Sequence, residues 1–217
     1  FGRAFRGPGR GIDAGPRYNI APSQPGVVVL AEPERVLRLA RWGLVPSWAK
    51  DPAIGAKLIN ARAETLAEKP SFKRALESRR CLVPADGFYE WARKGSRKIP
   101  HRFTLKDGGL FAFAGLRETW REPGGGLLES FTIVTTQAND LLKSVHDRMP
   151  VILRREDEPL WLDPKTGATA EVKGLLRPFP AEDMAAAEVS PLVNSPKNDG
   201  PACLAAPQPP DDLLPLF

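Results

Sequence analysis

The sequence predicts an α+β fold, a single domain around an antiparallel, barrel-like β-sheet with peripheral helices. Segments of β-branched, aromatic or alternating character follow one another in hairpin-like succession, with Gly and Pro between them. Helical patterns are fewer and lie between groups of strands. The chain has 217 residues, 42% of them hydrophobic, which is enough for one core that buries roughly 70% of the unfolded surface.

Seven segments have the composition of strands. Before them, residues 1–26 are rich in Gly, Pro and Arg without a sustained period, so we expect an extended segment held by tertiary contacts. The predicted strands are residues 27–30, 35–44, 81–83, 88–91, 102–105, 110–116 and 131–136. The predicted helices are residues 61–67, 71–78, 139–145, 156–162 and 170–176.

The chain has no internal repeat and no linker, so we expect one domain over residues 1–204 and a flexible, Pro-rich tail over 205–217. No apolar run approaches the roughly 20 residues that cross a bilayer, and a signal-peptide pattern is absent. We therefore expect a cytoplasmic monomer with no membrane partner. Cys81 and Cys203 lack metal-ligand spacing, so we expect buried thiols, no metal and no cofactor.

The distribution of cations is more informative than the net charge of +5, which is modest evidence for a polyanionic partner. Residues 93–106 contain no acidic residue, and cations also crowd the N-terminus. These two patches contain Arg93, Lys94, Arg97, Lys98, Arg102 and Lys106, and Arg3, Arg6 and Arg10. A solvated hairpin and arm explain this spacing about as well as a nucleic-acid contact does.

Glu90 stands between Tyr89 and Trp91, after an apolar approach. Such surroundings desolvate a carboxylate and raise its pKa towards a value that suits acid/base chemistry. Glu90 is therefore a candidate proton-transfer group that needs a partner.

His146 and Arg148 supply one candidate partner. They lie where a predicted helix gives way to Pro150, and a helix end can present a side chain into a cleft. A satisfied polar residue at a helix end is the ordinary explanation of a lone His. Arg148, two residues later, favours an acid/base group beside an anion-binding guanidinium.

Asn60 and Arg62 form a second candidate pair. Asn60 is positioned like a helix N-cap, with Glu64 in the first turn, which is its structural explanation. Alternatively, the Asn60 amide could polarise a carbonyl or hold a hydroxyl, and Arg62 could bind phosphate oxygens. The spacing does not separate these two interpretations.

Trp42 and Trp48 interleave with basic residues on either side of Pro46. They could stack on unpaired bases, each stack contributing about 1–3 kcal/mol. More often such residues belong to the core. Because Pro46 interrupts any regular element, one of the two could be buried and the other exposed.

Seven segments together resemble the signature segments of the SOS response-associated peptidase family. They are residues 18–24, 42–49, 60–65, 80–91, 111–116, 146–150 and 193–200, and they extend over the chain to about residue 203. Several ordered motifs at compatible spacing make this resemblance far more specific than any one of them.

The resemblance implies a bacterial sensor of abasic sites in single-stranded DNA that forms a covalent DNA–protein crosslink and associates with the nucleoid when bound. In that family an N-terminal Cys supplies an α-amine, which condenses with the sugar aldehyde, and a thiol, which closes a thiazolidine. By matching motifs, Asn60 orients the N-terminal residue and the sugar oxygens. Glu90 manages the proton of the amine, and His146 promotes ring opening.

The resemblance also implies the DNA contacts. Arg3, Arg62 and Arg148 would bind phosphates beside the lesion, and the Trp42 region would support base stacking. Such contacts position a strand without reading its bases, so we expect little sequence preference and strong salt dependence.

Phe1 departs from the family pattern, because the resemblance places Cys at this position. The missing initiator Met favours a processed or edited start. An α-amine has an ordinary pKa of about 7.7–8.0, so a useful fraction of it can attack an aldehyde at neutral pH. With Phe1 we expect the reaction to stop at the imine or to continue as lyase chemistry, with weak crosslinking.

Two other functions stay open at this stage. One is a non-catalytic single-stranded DNA binder in which Phe1 fills the cleft. The other is a peptidase that uses Glu90 and His146 and whose activity could be limited to removing its own initiator Met. Cys81 is expected to be inert because its neighbours are apolar.

The tail from Leu213 to Phe217 resembles the short peptides by which bacterial repair proteins dock on the sliding clamp, although Leu213 stands where that motif favours Gln. An apolar tail that packs back on the domain is the alternative.

Overall fold

The computed structural model describes residues 15–31 and 35–207. Phe1, Arg3 and residues 213–217 lie outside this part of the chain, and so do the predictions made for them. The strands of the described part are β1 (Pro25–Ala31), β2 (Arg35–Trp42), β3 (Asn60–Arg62), β4 (Arg80–Ala85), β5 (Phe88–Lys94), β6 (Arg97–Leu105), β7 (Phe111–Arg121), β8 (Leu127–Gln137), β9 (Arg148–Pro150), β10 (Ile152–Leu153) and β11 (Met184–Glu188).

Helices are short in the described ranges. They are α1 (Pro70–Ser78), α2 (Glu158–Leu162) and α3 (Ala170–Gly174), with 3-10 turns at Pro52–Lys57, Ala181–Asp183, Pro191–Asn194 and Pro201–Leu204. None of the helices in residues 15–31 and 35–207 is long and apolar enough to cross a membrane.

Five strands close into a barrel in the order β7, β4, β1, β2, β8, and β8 pairs again with β7. Four of these five pairings are antiparallel. The β2–β8 pairing is parallel, with Arg41 opposite Ser130 and Trp42 opposite Phe131. The predicted α+β class with a barrel-like sheet is confirmed, and one parallel seam is added to it.

Each of the five barrel strands contributes side chains to one hydrophobic cluster. Its members include Val28, Ala40, Val83, Phe113 and Ile133. Neighbouring positions on the same strands point to the opposite face, since side chains alternate along a strand. That face packs against α1, α2 and α3 in a second cluster, so both sides of the β4 and β7 wall are buried.

A second sheet, in the order β11, β6, β5, is antiparallel throughout. Phe88 of β5 stacks on Phe103 of β6, with ring centroids 5.3 Å apart, and meets the edge of Phe113 of β7 at 5.8 Å. These rings join the small sheet to the barrel. This contact helps to hold β5 beside the barrel.

Two predicted helices are wrong. Residues 61–67 begin as strand β3, which pairs in parallel with β8 and continues into turns, because this pairing outweighs the local helical pattern. Residues 139–145 form successive turns, in which the side chain of Asn139 accepts from the Leu142 amide and donates to the Phe179 carbonyl. These bonds hold separate turns rather than a continuous helix.

Arg80 ties the helices to the barrel. Its side chain is 5% exposed and donates to backbone carbonyls of Leu76, Asp163 and Gly167, among others. Leu76 lies in the last turn of α1, whose carbonyls have no partner within the helix. The guanidinium also lies over the Trp161 ring, 5.7 Å from its centroid.

Candidate functional site

A cleft of about 680 Å³ lies between the barrel and the small sheet. Its floor is apolar and includes Val27, Val83, Phe113 and Phe131 from four barrel strands. Its polar lining comes from residues that are far apart in the sequence. Those predicted as site residues are Trp42, Asn60, Arg62, Glu90, His146 and Arg148.

Glu90 is half-buried on β5 at the edge of this cleft. Burial raises the pKa of Glu90 and the nearby Asp147 acts in the same direction, while His146 and the Trp91 backbone amide act in the opposite one. The net direction is upward, because desolvation penalises the charged carboxylate. A carboxyl group with a raised pKa, next to an imidazole, is suited to proton transfer.

His146 precedes β9 and its side chain is 46% exposed. Its Nδ1 accepts from the Arg148 backbone amide at 3.0 Å, and lies 3.2 Å from the Arg148 carbonyl and 3.3 Å from Asp147 Oδ1. An unprotonated Nδ1 can use the amide, and a protonated Nδ1 can use either oxygen. The ring therefore keeps a partner in each state and leaves Nε2 to give or take a proton.

Asn60 lies on β3 opposite Ile133 of β8, so the predicted N-cap role is wrong. Because side chains alternate, Asn60 and Arg62 are exposed on one face while Ala61 is fully buried on the other. Neither the Asn60 amide nor the Arg62 guanidinium has a hydrogen bond to a side chain or backbone group in the described ranges. Both can reach a ligand in the cleft.

The Arg148 guanidinium is already engaged. Its two terminal nitrogens donate to the two carboxylate oxygens of Glu64 at 2.8 and 2.9 Å, and one of them also donates to the Thr135 carbonyl at 2.6 Å. This geometry ties β9 to β8 and to the turn after β3. A phosphate contact by Arg148, as predicted from the sequence, would have to share these donors.

The two predicted tryptophans have different positions. Trp42 lines the cleft, donates from Nε1 to the Ile59 carbonyl at 2.9 Å, and stacks on Phe131 with centroids 6.4 Å apart. Trp48 is 59% exposed and does not line the cleft. The structure therefore brings only Trp42 together with Asn60, Glu90 and His146.

A latch of polar residues was not predicted from the sequence. The Asp199 carboxylate accepts from the Tyr18 and Asn19 backbone amides and from Arg17. The Asn19 side chain is buried and donates to three carbonyls in residues 193–198. Residues 18–24 and 193–200, which are far apart in the sequence, thus form one wall of the cleft. The only sequence signal for this contact was that both segments belong to the same set of signature segments.

The cysteines stand apart from this chemistry. Cys81 is fully buried on β4, and burial raises the pKa of its thiol, so it has little thiolate character. Cys203 is also buried. Among the described residues, no three His, Cys, Asp or Glu side chains lie close enough to hold a metal ion.

Comparison with known proteins gives consistent matches. The family model described as SOS response associated peptidase matches residues 5–196. The abasic site processing protein YoqW of Bacillus subtilis is 53% identical over 188 residues, which are 86% of this chain and 84% of YoqW. The chicken abasic site processing protein HMCES is 37% identical over 222 residues, covering 87% of this chain and 66% of HMCES.

The fold is also found among solved structures. A crystal structure of a Bacteroides thetaiotaomicron protein superimposes with a TM-score of 0.77 at 33% identity, over 85% of this chain and 82% of that one. Sequence and structure agree, and the chain belongs to the SOS response-associated peptidase family.

Proposed function

We propose that the cleft binds an abasic site in single-stranded DNA and that the N-terminal α-amine of the chain attacks the sugar aldehyde to form a covalent link. One observation carries the proposal: Asn60, Glu90 and His146, separated by up to 86 positions in the sequence, line the same cleft beside Arg62 and Trp42. The names of the relatives, abasic site processing proteins, support the choice of substrate.

The reaction begins with ring opening of the sugar hemiacetal. The bond between C1′ and the ring oxygen breaks, His146 Nε2 gives a proton to that oxygen, and the C1′ hydroxyl loses its proton to the Glu90 carboxylate. The products are an aldehyde and a free hydroxyl. The Asn60 side-chain amide, which makes no hydrogen bond within residues 15–31 and 35–207, can donate to the aldehyde oxygen and hold it for attack.

The amine then adds to the aldehyde carbon. The addition gives a carbinolamine once a proton has moved from the nitrogen to the former aldehyde oxygen. The carbinolamine hydroxyl takes the proton that Glu90 accepted and leaves as water. The remaining nitrogen proton passes to His146 Nε2, which ring opening left unprotonated, and an imine remains. When the first residue is Cys, its thiol adds to the imine carbon while the nitrogen takes the thiol proton, which closes a thiazolidine. When it is Phe1, the imine is the last covalent step, or lyase chemistry follows. In that case C2′ loses a proton to the Glu90 carboxylate, a C2′–C3′ double bond forms, and the bond from C3′ to the phosphate oxygen breaks.

A trapping experiment tests this proposal. Protein with its first residue verified by mass spectrometry is incubated with an abasic single-stranded oligonucleotide, with and without borohydride. The Phe1 chain is expected to give an adduct only with borohydride, and a Phe1→Cys variant is expected to give a heat-stable adduct without it. A heat-stable adduct of the Phe1 chain would contradict the role given to the thiol.

Matched variants separate the cleft from the rest of the surface. Glu90→Gln and Asn60→Ala are expected to reduce trapping. Glu188→Gln, on β11 at the far edge of the same small sheet and outside the cleft lining, is expected to leave it unchanged. Affinity for the oligonucleotide without any trapping in the parent would support a non-catalytic DNA binder instead. Loss of initiator-Met removal in Glu90→Gln would support self-processing as an additional activity.

A further inference from the structure

The hairpin formed by β5 and β6 extends beyond the cleft. Glu90 and Trp91 of β5 line the cleft, and the strand continues to Lys94 before the turn. Gly95 begins this turn with a φ of 62°, a conformation that glycine adopts without strain. Since a strand rises about 3.3 Å per residue, the turn lies about 10 Å beyond Trp91.

The end of this hairpin is uniformly basic. Arg93 lies opposite Lys98 and Lys94 lies opposite Arg97, and all four residues are exposed. We call these four residues the basic hairpin. None of the four forms an ion pair with a residue in the part of the chain that the structure describes. Like charges that face each other across strands destabilise a hairpin, so the arrangement has a cost within the free protein.

We propose that the basic hairpin binds the phosphate backbone of the DNA strand on one side of the lesion. This inference rests on the proposed function of the cleft. The hairpin is continuous with the cleft through β5, and its four cations complement a polyanion that leaves the cleft along this strand. A strand stacked as in B-form DNA spans about 3.4 Å per nucleotide and an unstacked strand spans more, so about 10 Å corresponds to at most about three nucleotides.

The alternative for such a hairpin is a solvated turn that binds nothing. Two features favour a nucleic-acid contact. The cations lie on both strands at directly opposite positions, where a pair of one cation and one anion would have stabilised the hairpin. The same strand also supplies cleft residues, so a bound strand and the hairpin meet without any movement of the fold.

The test uses a hairpin variant and a matched control. The hairpin variant carries Arg93→Gln, Lys94→Gln, Arg97→Gln and Lys98→Gln. The control variant carries Lys69→Gln, Lys73→Gln, Arg74→Gln and Lys173→Gln, which remove the same charge from exposed residues outside the cleft lining. Both are compared with the parent on a short abasic oligonucleotide, with one nucleotide on each side of the lesion, and on long ones with about ten nucleotides on one side or the other.

The hairpin variant is expected to bind one of the two long oligonucleotides on the order of ten-fold more weakly than the control variant does. The slope of log K against log salt for that oligonucleotide should fall by roughly 3, at about 0.7 for each lost phosphate contact. Binding and trapping of the short oligonucleotide should equal those of the control. Because four like charges are removed, the melting temperature of the hairpin variant should not fall.

Two results would overturn the inference: equal affinity of the hairpin and control variants for both long oligonucleotides, or an equal loss on the short and the long ones. Failure of the proposed cleft function has a different signature. It would appear as no trapped adduct in the parent on the short oligonucleotide, whatever the hairpin variant does.

Discussion

Glu90 combines a half-buried carboxylate with a neighbouring imidazole, and its raised pKa has opposite consequences for stability and for activity. The variant Glu90→Gln removes the charge with little change of shape. We expect the rate of borohydride-trapped adduct formation to fall about 10²-fold or more, as is typical when an acid/base group is lost.

The same variant should melt at a higher temperature than the parent at neutral pH. A raised folded-state pKa means that the stability contributed by Glu90 is present below its unfolded pKa and is lost as pH rises through the folded value. The gap between variant and parent should therefore open above an ordinary Glu pKa of 4.5 and close below it. Thermal melts across this range check the sign, and a gap that opens towards acid would contradict it.

The ion pair of Glu64 with Arg148 has the opposite dependence of stability on pH. The hydrogen bonds from Arg148 hold the pKa of the Glu64 carboxyl below its usual value. Glu64→Gln should lower stability at neutral pH by less than about 1 kcal/mol, since Glu64 is partly exposed and solvent screens the pair. The stability of the pair is present above the unfolded pKa and is lost as pH falls through the folded one.

Urea unfolding at neutral pH and near pH 3 measures this effect. The difference between Glu64→Gln and the parent should shrink at the lower pH, because protonation of Glu64 removes the charge that Gln also lacks. Lys143 and Asp140 supply a control, because they form an exposed ion pair at 2.7 Å whose removal should change stability less. A larger effect for Asp140→Asn than for Glu64→Gln would be inconsistent with a tie between β9 and the turn after β3.

At the scale of elements, the latch between residues 17–19 and 193–199 closes one wall of the cleft. Burial alone would raise the pKa of Asp199, but hydrogen bonds from the Tyr18 and Asn19 amides and from Arg17 hold it below its usual value. The Tyr89 hydroxyl adds a bond of 2.7 Å to the Tyr18 carbonyl. Hydrogen bonds between polar groups thus hold together residues 17–19, residues 193–199 and strand β5.

Asn19→Ala should destabilise the protein by about 2 kcal/mol, because it removes three hydrogen bonds that one buried side chain donates to carbonyls of this wall. Hydrogen exchange should show faster exchange of the Tyr18 and Asn19 amides, while the barrel amides of β7 and β8 keep their protection. Asn198→Ala, whose side chain makes one bond to the Leu192 carbonyl, serves as the milder comparison. Equal losses in the two variants would show that Asn19 has no special part in the latch.

The sequence predicted strongly patterned elements well and weakly patterned ones poorly. The seven predicted strands correspond to β1, β2 and β4–β8, and the helix at 71–78 is confirmed as α1. Strands β3, β9, β10 and β11 have two to five residues each, too few for a period to be visible. The predicted helix at 61–67 fails because Asn60–Arg62 pair with β8, a contact that local sequence does not encode.

The same reason limits prediction of the site. The aromatic neighbours of Glu90 and the spacing of His146 to Arg148 identified both residues as candidates. Their proximity in space, however, requires that β5 lies against the barrel, where Phe88 contacts Phe113. The Glu64–Arg148 pair and the Asp199 latch join positions 84 and about 180 residues apart. Such pairs follow from the closed topology, which a single sequence does not display.

For the whole molecule, closure of the barrel explains why the candidate site is assembled from so many segments. The parallel pairings of β2 and β3 with β8 bring Trp42 and Asn60 beside Phe131 and Ile133. The small sheet covers the opposite side and carries Glu90 into the cleft. Strand pairings and the latch hold the walls of this site, so we expect its selectivity to come from charge and shape rather than from closure around a particular base.

The arrangement of charge therefore predicts how the whole protein binds DNA. Arg62 in the cleft and the four cations of the basic hairpin supply five positions for phosphates, and the slope of log K against log salt for abasic single-stranded DNA with long flanks should be about −3.5. Replacing thymine flanks by cytosine flanks should change the affinity by less than about two-fold, because phosphate contacts carry no sequence information. Arg62→Gln should reduce the slope by about 0.7 for both flank compositions. Fluorescence anisotropy across a salt series measures all three quantities, and a salt-independent affinity or a strong preference for one flank would contradict binding through the phosphate backbone.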